Sequence, residues 1–113
     1  MRLLHLEDNP TDAELINARL RHEWPDCSIE RVDSRDAFIE ALRRDDCDLV
    51  LSDCSLPAFN GLEALAITRQ YNTSLPFIFL SGTIGEHNAV EALRRGAVDY
   101  IIKDRPARLI PAI

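Results

Sequence analysis

Short apolar runs alternate along this chain with longer stretches in which apolar residues recur every three or four positions. Residues 3–6, 28–32, 49–52, 76–80 and 98–102 read as strands. The run at 76–80 is apolar throughout after its proline, as expected of a strand buried on both faces. Between the first two runs, Ala13, Ile16, Leu20 and Trp24 are spaced to form one helical stripe. Asn9-Pro10 supplies an N-cap followed by proline at the first helical position, and Pro25 ends the helix. Asp33 or Ser34 can cap a second helix whose apolar face is Ala37, Phe38, Ala41 and Leu42. Leu62, Leu65 and Ala66 mark a third helix, and Ala89, Val90 and Leu93 a fourth. Gly96 stands where a helix C-terminus needs positive φ.

Five β-α units in strict alternation imply an α/β fold: one doubly wound parallel sheet with helices on both faces. Right-handed crossovers restrict the topology, and the expected strand order is 2-1-3-4-5, flavodoxin-like. At 113 residues the chain has room for one domain, spanning 1–113. The last unit is short. Residues 105–113 contain Pro106 and Pro111, and Pro111 would remove a hydrogen bond from a continuous helix. The expectation is a short or truncated last helix, in a piece of a longer multidomain protein.

Such a sheet gathers chemistry at the C-terminal ends of its strands. The runs end in Glu7-Asp8, in Asp53, in Ser81 and in Lys103. At about 4 Å and an effective dielectric of ~20, each like-charged pair costs about 4 kcal/mol. Lys103 offsets part of this, and a hard divalent ion would offset the rest. An all-oxygen, carboxylate-rich set suits Mg²⁺. A metal beside a carboxylate and a lysine suits phosphoryl transfer, in which negative charge must be spread over cations and donors. In that chemistry Asp53 is the nucleophile, forming an aspartyl phosphate. Asp8 holds Mg²⁺ directly, and Glu7 does so directly or through water. Ser81 and Lys103 each meet a phosphoryl oxygen.

Composition narrows the classes. A formal net charge of −6 argues against direct nucleic-acid binding, which needs clustered Lys and Arg. Arg43-Arg44 and Arg94-Arg95 fall late in expected helices, where cations suit the dipole. Cys27, Cys47 and Cys54 match no metal or CxxC spacing, and reduced thiols in a cytoplasmic protein are expected. No apolar run is long enough for a membrane helix. His5 reads as a packing residue in the first strand, and His22 and His87 as helix-surface residues. Trp24 reads as a core anchor at a helix end.

Leu6-Glu7-Asp8-Asn9, Asp53-Cys54-Ser55-Leu56-Pro57 with Gly61, Ser81-Gly82 and Tyr100-Ile101-Ile102-Lys103 together resemble the signatures of two-component response-regulator receiver domains. The match covers nearly the whole chain. The resemblance implies that Asp53 takes a phosphoryl group from a histidine kinase or phosphotransfer protein. It implies that the Ser55 backbone carbonyl completes the Mg²⁺ shell and that Ser81 and Tyr100 form a switch pair. A downstream output domain or partner protein would read the switch, and a homodimer is one assembly it allows. The domain would not be a turnover enzyme. Two features depart from the usual pattern. Asp104 stands where the family commonly has proline after the lysine, which disfavours a cis bond there. Gly82 and Gly85 in the loop after Ser81 predict mobility.

Two other functions compete with this one. A phosphatase of the haloacid dehalogenase type also uses a strand-end Asp, but it needs a second acid two residues on, where this chain has Ser55. A degenerate receiver would dock partners without phosphorylation, although here every site position carries a competent residue.

Overall fold

The computed structural model describes residues 1–53, 61–81, 94 and 99–102, with side chains at 1–53, 62–80 and 94. The elements run β1 (Arg2–Leu6), α1 (Pro10–Glu23), β2 (Ser28–Val32), α2 (Arg35–Arg43), β3 (Leu49–Asp53), α3 (Gly61–Tyr71), β4 (Phe77–Ser81) and β5 (Asp99–Ile102). All pairings are parallel, in the order β2-β1-β3-β4-β5. This is the expected doubly wound α/β arrangement. The proposed fourth helix with Gly96, and the segment from Lys103 to Ile113 with its proposed short last helix, lie outside the described residues apart from helical Arg94.

Local chemistry explains where the helices begin and end. The Asn9 side chain accepts hydrogen bonds from the backbone N–H of Thr11 and Asp12, and Pro10 takes the first helical position. At the far end Trp24 leaves the helical region, just before Pro25. Of the two candidate caps for α2 it is Ser34 that serves, accepting from the Ala37 N–H at 3.2 Å. Helix α2 ends through Asp45, whose φ of 52° lies in the left-handed region and whose N–H reaches the Leu42 carbonyl. Glycine is the usual residue at such a turn, because a Cβ is crowded there.

Alternation along the strands divides the core in two. Leu3, Leu49, Leu51, Ile78 and Leu80 face α1 and pack with Ile16, Leu20 and Cys27. Leu4, Leu6, Val50, Phe77 and Phe79 face α2 and α3 and pack with Phe38, Leu42 and Leu65. Phe77, Ile78, Phe79 and Leu80 are fully buried, so β4 is covered on both faces as its sequence predicts. Each such side chain contributes about 1.5–3 kcal/mol. Trp24, at the end of α1, is only partly buried and packs against the α1-side cluster.

Helix α3 forms where Leu62, Leu65 and Ala66 mark one, but its buried face is set by other positions as well. Leu65 is buried, but Ala66 is exposed, and the inward positions are Ala64, Leu65, Ile67 and Thr68. Thr68 tolerates burial because its hydroxyl donates to the Ala64 carbonyl at 2.8 Å, one turn back.

Candidate functional site

Strand register builds the site. Leu3, Leu4, His5 and Leu6 stand opposite Leu49, Val50, Leu51 and Ser52, so the next step sets Glu7 against Asp53. Adjacent strands are about 4.8 Å apart. Alternation also puts Glu7 and Asp53 on the same side of the sheet, in the series Leu3-His5-Glu7 and Leu49-Leu51-Asp53. Asp8 is the first residue past Glu7 in the turn into α1. Carboxylate oxygens of Glu7, Asp8 and Asp53 all lie within 4.8 Å of one another. Glu7 is fully buried, Asp53 is 7 % exposed, and Asp8 is open to solvent. The three acids singled out from sequence are therefore brought together.

The surroundings fix these acids in place. Glu7 Oε2 accepts from the Asn9 N–H at 3.3 Å, which ties the carboxylate to the α1 cap. The Glu7 N–H donates to the Val32 carbonyl at 2.9 Å, extending the β1–β2 pairing one residue past β1. The Glu7 carbonyl accepts from Arg31 Nη1 at 2.9 Å. Below Asp53, the fully buried Ser52 hydroxyl donates to the Asp53 carbonyl at 3.0 Å. Nothing in the sequence pattern marks Arg31 or Ser52 as a contributor. Arg31 has no motif to mark it, and Ser52 reads simply as part of an apolar run.

Ser81 and Tyr100 lie in paired strands, with Phe79 opposite Tyr100 and Ser81 opposite Ile102, but their side chains are outside the described residues. Ser55, Cys54, His87 and Lys103 (the only lysine of the chain), together with the glycine-bearing loop after Ser81 and Asp104, also lie outside them. His5 is buried under α1 in the packing role expected of it, and its Nδ1 pairs with Asn17 Oδ1 at 3.0 Å. His22 is exposed on α1. Among the described residues Cys27 and Cys47 are free thiols, and no helix is long and apolar enough to cross a membrane.

Residues 3–113 match the family model for the response regulator receiver domain. The chain belongs to that family. Among its relatives, the response regulator ArlR of Staphylococcus saprophyticus is 36% identical over 102 residues, covering 90% of this chain and 45% of ArlR. The DNA-binding response regulator MtrA of Mycolicibacterium smegmatis is 29% identical over 113 residues, covering 99% of this chain and 48% of MtrA. The BeF3-activated N-terminal receiver domain of RstA from Klebsiella pneumoniae superposes with a TM-score of 0.79 at 28% identity, covering 99% of this chain and 93% of that one. The receiver chain thus spans less than half the length of these two curated relatives. Its family and fold are those used in two-component signalling.

Proposed function

We propose that this receiver domain accepts a phosphoryl group on Asp53 from a phosphohistidine of a histidine kinase or phosphotransfer protein, in a Mg²⁺-dependent step. The observation that carries this reading is the convergence of Glu7, Asp8 and Asp53 within 4.8 Å at the C-terminal edge of a parallel sheet. The donor set fits the ion: three carboxylates, hard oxygen ligands only, with Asp8 exposed to leave room for water. Asp8 and Asp53 would hold it directly, Glu7 directly or through water, and the Ser55 carbonyl would complete the shell. Bound there, Mg²⁺ would offset the charge of the acids and of the phosphoryl oxygens.

The protein's own part is nucleophile, orientation and charge. An Asp53 carboxylate oxygen attacks phosphorus, the P–N bond to the donor imidazole breaks, and the imidazole leaves and takes a proton from solvent. Hydrolysis of the resulting acyl phosphate returns the carboxylate and releases inorganic phosphate. Lys103 and Ser81 each meet a phosphoryl oxygen. The new negative charge draws the Ser81 hydroxyl inward and Tyr100 follows, so the surface around β5 changes partners. Support for an activated state of this kind comes from the relative RstA, whose receiver domain is described as BeF3-activated.

On this reading the domain is a cytoplasmic switch feeding an output domain or partner protein, and not a turnover enzyme. The test is incubation with Mg²⁺ and acetyl phosphate, followed by intact-mass measurement. One phosphoryl group should be gained by the wild type and none by Asp53→Asn. Labelling that persists in the variant overturns the assignment of Asp53, and a wild type that never labels leaves the phosphorylation-independent docking module as the better reading.

A further inference from the structure

The acidic site has a support outside the signatures that define it. Arg31 lies 24 residues from Glu7, and its Nη1 donates to the Glu7 carbonyl at 2.9 Å. That carbonyl belongs to the peptide bond joining Glu7 to Asp8. In register Arg31 stands opposite His5, so its side chain reaches along the sheet toward the C-terminal edge. It does so where strand pairing runs out: β2 ends at Val32, whose carbonyl has already taken the Glu7 N–H. Glu7 is thereby held to β2 on both its N–H and its C=O sides. Asp8 lies past the end of β1, is exposed, and takes its position from the peptide plane that precedes it.

We propose that Arg31 is a positioning residue for the acidic site, its guanidinium fixing the Glu7–Asp8 peptide plane and so setting where the Asp8 carboxylate stands relative to Glu7 and Asp53. The proposal rests on the Mg²⁺-binding receiver reading and deepens it. A hydrogen bond from a charged donor is about twice as strong as a neutral one. An arginine at the end of an edge strand does here what the ladder can no longer do. The opposing reading is that Arg31 acts only through its charge. A cation near a cation site weakens metal binding, so the two readings predict opposite signs.

The test compares wild type, Arg31→Met, Arg31→Lys and Asp53→Asn. Mg²⁺ affinity is measured by calorimetric titration, and the Glu7 carbonyl carbon and Asp8 amide resonances are recorded without metal. Arg31→Met should bind Mg²⁺ about tenfold more weakly, as is usual when a group orienting a metal ligand is lost. Arg31→Lys should recover part of that loss, because a donor is restored. In the metal-free spectrum of Arg31→Met the Glu7 and Asp8 resonances should move while those of β3 and β4 stay put, which also shows that the variant is folded. Equal or tighter Mg²⁺ binding by Arg31→Met overturns the proposal. If wild type binds more tightly than Asp53→Asn while Arg31→Met matches wild type, the positioning role alone fails. If wild type and Asp53→Asn bind alike, the reading of the acids as a Mg²⁺ site fails and takes the proposal with it.

Discussion

The two edges of the sheet handle charge in opposite ways. At the N-terminal edge, Arg2 pairs with Asp46 at 3.3 Å and its backbone N–H donates to Asp48 Oδ2 at 2.8 Å. Arg44 pairs with Glu30 beside them. These groups are solvent-exposed and arranged as opposites, so each contributes little and offends little. At the C-terminal edge three acids of the same sign converge, two of them buried. Bringing like charges together carries a Coulombic cost that the paired charges of the other edge do not. The contrast sets the C-terminal edge apart without any motif, because its three acids meet partly buried whereas the pairs at the other edge stand in solvent.

The largest expected effect comes from the ion itself. Mg²⁺ at a hundred times its dissociation constant should stabilise the wild type by about 2.7 kcal/mol in urea melts, and Asp53→Asn should lose most of this. No Mg²⁺ response in the wild type would break the contrast between the edges. Next comes the metal-free protein. Asp8→Asn removes one like charge from the exposed member of the three, so it should raise stability by about 1 kcal/mol. Asp46→Asn at the opposite edge should lower it by less than about 0.5 kcal/mol. Equal effects at the two edges would mean that the convergence of acids carries no cost.

Smaller effects refine the comparison. Asn9→Ala and Ser34→Ala each remove a helix cap and should each cost about 1 kcal/mol. Only Asn9→Ala should also weaken Mg²⁺ binding, since its cap adjoins Glu7. Asp45→Gly, behind the N-terminal edge, should stabilise by about 0.5–1 kcal/mol by relieving the left-handed residue. The smallest effect is chemical. Burial pushes the Cys47 thiol up, and the carboxylates of Asp46, Asp48 and Asp45 add to it. The folded protein therefore favours the neutral thiol, and that preference is lost as pH rises past the ordinary thiol value near 9. Alkylation of Cys47 should be slow near neutral pH and accelerate only well above that value; fast labelling at pH 7 would contradict it.

Much of this architecture was legible in sequence because it depends on local periodicity. The fully apolar run of β4, the Asn9-Pro10 start of α1 and the stop at Pro25 each act within a few residues. So did the prediction that strand ends would collect Glu7, Asp8 and Asp53, since alternation and parallel topology suffice to place them on one edge. Which face of α3 is buried is hard to read, because alanine suits either face and Thr68 looks polar until its hydroxyl finds the Ala64 carbonyl. The left-handed turn at Asp45 was hidden behind an aspartate where glycine is expected.

The sequence by itself determined the α/β alternation and the three acids at the strand ends, because those follow from patterns short enough to read along one chain, whereas the strand order was only narrowed by crossover rules until the pairings showed it. Only the tertiary structure decided that β1 and β3 pair in the register that sets Glu7 against Asp53, and that Arg31 reaches the peptide between the two leading acids. Register and side-chain reach are properties of neighbouring strands. They come from the packing of two core layers against one sheet, and no local pattern in the chain encodes them.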